Sequence, residues 1–183
     1  MRKALAAALC LVLLAASGTA LAEKTVTLTF VGDCTLGGED WLINREGSFH
    51  DYARKEGYTY FFEKMRDFFS EDDLTIINFE GVLKDDSRDA VNKTYCFRGP
   101  TDFARILPLS SIEAVNLDNN HTLDYGKRGK TSTVEALTGA GVHVFDELTP
   151  YIFEKDGIKI AFFGMQRVHF FSLREQLKEQ IRI

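Results

Sequence analysis

Three apolar segments of the chain run into residues that can bind a cation or move a proton: VTLTFVGD ending at Asp33, LTIINFE ending at Glu80, and IEAVNLDNNH ending at His121. Asp33 follows Gly32, so a carboxylate could meet a hard or borderline divalent ion without a bulky neighbour in the way. In Asn78-Phe79-Glu80, strand alternation puts Asn78 and Glu80 on one face and Phe79 on the other. Two polar groups on an otherwise apolar strand require partners or water, which places them at an edge or a site. The densest stretch is Asn116 to Gly126, NLDNNHTLDYG. Its His121 can serve as a general acid near neutral pH, and an Asn oxygen is an acceptable ligand beside carboxylates. Taken singly, each has a plainer reading: a turn Asp, an Asn-rich turn, a structural His.

Positioning these residues calls for strands that are apolar on both faces and turn polar at their carboxyl ends, where ligands bind in open α/β sheets. Thr25 to Gly32, Asp73 to Phe79, Ile112 to Leu117 and Val142 to Phe145 read as such strands, and Thr94 to Arg98 as a short one. Trp41 to Gly57 has no clear period. Tyr60, Phe61, Met65, Phe68 and Phe69 recur at helical spacing and predict an amphipathic helix with an aromatic core face. Lys84 to Lys93 is polar and reads as a surface loop. Thr101 or Asp102 can cap a short helix ended by Pro108. Lys127 to Thr138 predicts a helix closed by Gly139 and Gly141, and Asp156-Gly157 a hairpin turn between Tyr151–Glu154 and Ile158–Phe163. Strands alternating with helices indicate an α/β domain with a mostly parallel sheet.

Residues 1–22 stand apart: Met1-Arg2-Lys3, an uncharged run from Ala4 to Ala16, then Ala20-Leu21-Ala22. That is the layout of a secretory signal peptide, with an uncleaved anchor as the competing reading. An extracytoplasmic location follows from it. Cleavage removes two basic residues, leaving 20 Lys and Arg against 27 Asp and Glu. With no basic stripe, nucleic acid is excluded as a partner. Cys34 and Cys96 remain; export permits a disulfide between them, and two buried thiols are the alternative. Ser172-Leu173-Arg174-Glu175 forms a capping box with Leu173, Leu177 and Ile181 following at helical spacing, so a last helix is expected to begin at Ser172.

VGDCTLG, INFEGVL, KTYCFRGP, VNLDNNHTLDYGKRG and GIKIAFFGM follow one another in the order seen in CapA-type capsule and poly-gamma-glutamate biosynthesis proteins. Over residues 25 to 165 the chain resembles that family, which is related to the calcineurin-like metallophosphoesterases. The resemblance implies a layered α/β-β/α sandwich over residues 23–183 with a site for divalent metal ions (Mn, Zn, Fe or Mg) at the strand ends. By position it makes Asp33, Glu80 and Asn120 metal ligands and His121 the catalytic residue that protonates a leaving group or holds the transferred group. Asn78 shares a face with Glu80 and would support the ligands. Thr35 stands where the phosphoesterases place a His, which removes one ligand. Arg98 and Lys93 could meet an anionic substrate, but read more simply as a solvated pair on a strand. Family members continue with two further His-bearing segments. His143 and His169 do not match their contexts and His50 falls in a loop, so the domain is expected to be truncated at its C-terminus. Three functions remain in view: a metal-dependent hydrolase acting on a phosphoester or on an amide of an anionic polymer, a non-enzymatic component bound to capsule-synthesis membrane proteins, and an inactive fragment.

Overall fold

The computed structural model of the protein describes residues 24–166. The expected signal peptide and the helix expected from Ser172 lie outside them. Among the described residues no helix is long and apolar enough to cross a membrane. The strands are β1 (Leu28–Cys34), β2 (Leu74–Phe79), β3 (Val82–Leu83), β4 (Arg98–Gly99), β5 (Ala114–Asn116), β6 (His143–Phe145), β7 (Tyr151–Lys155) and β8 (Ile158–Phe162). The helices are α1 (Phe49–Glu56), α2 (Arg66–Ser70) and α3 (Gly126–Gly139).

β1, β2, β5 and β6 form one parallel sheet in that order, so the α/β expectation holds. Alternation along β2 and β5 sorts their side chains between two cores. Ile77, Phe79, Val115 and Leu117 face Ala53 of α1, Phe69 of α2, Leu137 of α3 and the 3-10 segment Thr101–Ile106. Leu74, Ile76 and Ala114 face the opposite way, onto Tyr151, Phe153, Ile160 and Phe162 of the β7–β8 hairpin. The hairpin turns through Asp156 and Gly157, both at positive φ (52° and 79°), the pairing an Asp-Gly type I′ turn requires. Helix α3 is closed by Gly141 at φ 85°, as its sequence indicates.

Several expectations are corrected. The aromatic run is not one helix: a 3-10 turn at Tyr58–Tyr60 and a bend precede the five-residue α2. Phe61 and Phe69 pack inward, but Tyr60, Met65 and Phe68 are exposed. Phe61 leaves the helical register to stack on Phe49 at 3.8 Å between centroids. The expected strand Thr94–Arg98 shrinks to Arg98–Gly99. Neither Thr101 nor Asp102 caps a helix, since Thr101 bonds the Asp85 carboxylate and Asp102 accepts from Tyr58. Cys34 and Cys96 are half-buried free thiols, and burial together with the Asp33 charge pushes the Cys34 thiol up to about 11.

His50 is no loop residue. It lies on α1, a helix whose Ser48 cap accepts from Asp51 N–H, and both of its ring nitrogens are buried without a hydrogen-bond partner among the described residues. Burial, then the Arg98 and Arg54 charges, hold its pKa below 6.5, against a smaller opposing pull from Asp40. The unfolded chain therefore takes up this proton first as pH falls below the ordinary imidazole value. Stability is fully present above that value and lost below it, by at most about 1.4 kcal/mol per pH unit for one proton. Urea unfolding between neutral and mildly acid pH should show that slope, and His50→Leu should flatten it.

Candidate active site at the carboxyl edge of the sheet

The site begins with a slip in register. Leu28, Thr29 and Phe30 of β1 pair with Leu74, Thr75 and Ile76, but the next pairs are Asp33 with Asn78 and Cys34 with Phe79. One extra residue in β1 turns Asp33 onto the face that Asn78 occupies; without it, Gly32 would stand there. Continuing across the sheet, Asn78 pairs with Asn116 and Asn116 with Phe145. Neighbouring parallel strands lie about 4.8 Å apart, within reach of amide-to-amide bonds.

The result is a polar ladder along the carboxyl edge. Asn78 Nδ2 donates to Asp33 Oδ1 at 2.6 Å, and Asn78 Oδ1 accepts from Asn116 at 3.0 Å and Asn119 at 3.1 Å. Asn119 also donates to the Phe79 carbonyl at 2.8 Å, while its own oxygen accepts from His121 N–H at 2.9 Å. Asp33 and Asn78 are thus joined directly, and His121 is tied to them through Asn119. Glu80 directly follows β2, with its N–H donating to Cys34 O at 3.0 Å. Its carboxylate and the Asn120 amide make no hydrogen bond or ion pair among the described residues. Thr35 lies half-buried after β1, outside the ladder.

His121 is 8% exposed and sits in a network of its own. Its Nδ1 lies 2.7 Å from Asp124 Oδ2, and its ring stacks on Phe97 at 4.3 Å. The same Asp124 oxygen accepts from Phe97 N–H at 2.8 Å, and Asp124 Oδ1 accepts from Lys93 Nζ at 2.8 Å. The next residue, Tyr125, is 1% exposed and packs beneath Arg98, whose guanidinium lies 5.9 Å from the ring. The 119–125 turn is therefore anchored by Asn119 in the ladder and by Tyr125 in the core.

Arg98 and Lys93 are not a solvated pair. Arg98 is buried, donating to Asp40 Oδ1 at 2.8 Å and to Lys84 O at 2.7 Å, and Lys93 is committed to the His121 turn. Beyond β8 the chain crosses the same edge: Gly164 N–H donates to Asp146 O and Gln166 N–H to Asp118 Oδ2. A Cβ on Gly164 would sit 2.7 Å from Asp118 Cβ and 2.8 Å from Asp146 Cα, so glycine is needed for the crossing. Beside the ladder an open groove of about 360 Å³ is lined by Phe30, Ile76, Asn78, Asn116, Phe145 and Phe162. The sequence reading did not single out the roles of Asn116, Asn119, Asp124 and Lys93. Asn116 carried a signal, since it ends its strand as Asn78 nearly ends its own.

The donor set that the resemblance names, two carboxylates and one amide oxygen, has the chemistry of a hard divalent-ion shell. Free oxygens on Glu80 and Asn120 fit that use. No group of three or more His, Cys, Asp and Glu side chains able to hold an ion occurs among the described residues.

Comparison with known proteins agrees on the family. A "Probable polyglutamine synthesis accessory protein", found in two strains of Mycobacterium tuberculosis, is 39% identical over 70 residues, 38% of this chain and 18% of the relative. "Capsule biosynthesis protein CapA" of Bacillus anthracis is 25% identical over 154 residues, 78% of this chain and 35% of the relative. The chain therefore spans well under half the length of these curated relatives. The family model "Bacterial capsule synthesis protein PGA_cap" matches residues 27–181, and the chain belongs to that family of bacterial capsule synthesis proteins.

Proposed function

We propose that the chain is an exported, metal-dependent hydrolase-type domain serving capsule or polyglutamate synthesis, acting on a phosphoester or on an amide of an anionic polymer. The observation that carries this reading is the gathering of Asp33, Asn78, Asn119 and His121, from three separate strand ends, into one bonded edge. Asp33, Glu80 and Asn120 would hold the ion, leaving other positions of its shell to water or further groups. A bound divalent ion supplies Lewis-acid polarisation of a phosphoryl or carbonyl oxygen. His121, with Nδ1 taken by Asp124, has Nε2 left to accept a proton and, once protonated, to give it to a leaving group. The β7–β8 hairpin, on the face opposite the helices, is the start of the second sheet of an α/β-β/α sandwich in this reading.

The test measures Mn²⁺ and Zn²⁺ binding by calorimetry together with hydrolysis of a phosphoester and a γ-glutamyl amide. Asp33→Ala and Glu80→Ala should each weaken metal binding at least tenfold, about 1.4 kcal/mol. His121→Ala should retain the metal and lose hydrolysis. A protein that binds neither ion and hydrolyses neither substrate ends the hydrolase reading, and recovery from the cytoplasm alone ends the export reading. Thr35, which stands where the related phosphoesterases place a ligand His, favours a second reading, a non-enzymatic component of a polymer-synthesis assembly. That reading predicts co-purification with synthesis-complex membrane proteins unchanged in Asp33→Ala and His121→Ala.

A further inference from the structure

The segment between β3 and β4, legible in sequence only as a polar loop and a short strand, wraps the His121 turn. Val91 N–H donates to Asp124 O at 2.9 Å, Phe97 N–H to Asp124 Oδ2, and the Phe97 ring covers one face of the imidazole. Lys93 lies at the centre of this wrap. Its Nζ is 2.8 Å from Asn120 O, 2.8 Å from Asp124 Oδ1 and 3.2 Å from His121 Nδ1.

An ammonium has three donors and no acceptor. Two are spent on Asn120 O and Asp124 Oδ1, and Nδ1 is a third neighbour at 3.2 Å. That nitrogen cannot both accept from Lys93 and donate to Asp124. The Asp124 contact is the shorter, 2.7 Å against 3.2 Å, and its acceptor is a carboxylate, so the proton belongs between Nδ1 and Asp124 Oδ2. Lys93 then acts at one remove. By binding Oδ1 it turns Oδ2 toward the ring, and by binding Asn120 O it fixes the backbone that carries the ring. We infer that Lys93 is a positioning residue that holds Asp124 and the Asn120 carbonyl so that His121 keeps its proton on Nδ1 and presents Nε2 bare.

The functional meaning rests on the reading of His121 as the proton-handling group, but the inference itself is read without substrate or metal. Long-range ¹H–¹⁵N spectra of the imidazole report which nitrogen carries the proton, with His121→Gln assigning the signals. The wild-type protein should show the Nδ1–H pattern alone for His121. Lys93→Met should lose that single pattern and give a mixture of tautomers, and Lys93→Arg, which keeps the charge and two donors, should restore it. An Nε2–H pattern in the wild type overturns the inference without any variant. A Lys93→Met protein that keeps the pure Nδ1–H pattern, or an Arg variant that fails to restore it, overturns it as well. Loss of hydrolysis with the ring signature intact would count against the hydrolase reading alone.

Discussion

Asp124→Ala is expected to destabilise the protein by about 3 kcal/mol, near the lower end of what breaking a buried ion pair costs. Asp124 is 1% exposed, yet its two oxygens serve three donors: Lys93 Nζ, Phe97 N–H and His121 Nδ1. Alanine removes all three acceptor contacts and leaves the half-buried Phe97 amide, beside the His121 ring, without that acceptor. A buried donor left unsatisfied costs about 1–3 kcal/mol by itself. Lys93 moderates the loss, because its side chain is 33% exposed and can turn back to water. Asp124→Asn separates size from charge: it keeps the volume and one oxygen for Phe97 N–H, and should cost roughly half as much. Urea midpoints at unchanged slope would measure both. A loss below about 1 kcal/mol for Asp124→Ala would mean that the network stabilises little beyond what water replaces.

What the sequence made legible, and what it hid, divides along local and non-local lines. Strand β2 and the Asp156-Gly157 turn are readable because burial on both faces and positive φ each leave a local mark on residue choice. The carboxyl-edge location of Asp33, Asn78 and His121 follows from the same logic. The extra residue in β1 leaves no such mark, because Val31-Gly32 continues an ordinary apolar run. Without that register, neither the Asp33–Asn78 bond nor the ladder beyond it could be derived. The role of Lys93 is hidden for a different reason: only folding brings it within hydrogen-bond distance of residues 27 to 31 positions away. The Ser48–Asp51 cap of α1 is readable, with Ser three residues before Asp, but the lack of a clear period in Trp41 to Gly57 hides the helix it starts. In Tyr60 to Phe69 the period was present and misleading. Aromatic rings can satisfy packing by stacking on Phe49 or Tyr52 without keeping to one helix face.

Asn78→Leu should cost about 2 kcal/mol and release the Asp33 side chain. Asn78 donates on one side and accepts twice on the other, so it joins a carboxylate to two amides. Leucine keeps the branched shape and heavy-atom count but strips the acceptor from Asn116 and Asn119, both half-buried, while exposed Asp33 recovers water at little cost. Asn78→Asp tests the direction of the bonds. The new side chain still accepts from both asparagines, but at neutral pH it sets two carboxylates 2.6 Å apart where a donor had been. Like charges this close raise the carboxyl pKa in the folded state above its unfolded value. The stability of this variant is therefore intact at acid pH, where the carboxyl can donate as the amide did, and is lost as pH rises through the raised pKa. Wild type should show no such loss over the same range. If Asn78→Asp and Asn78→Leu have the same midpoint at every pH, the Asp33–Asn78 bond holds neither the edge strand nor the site.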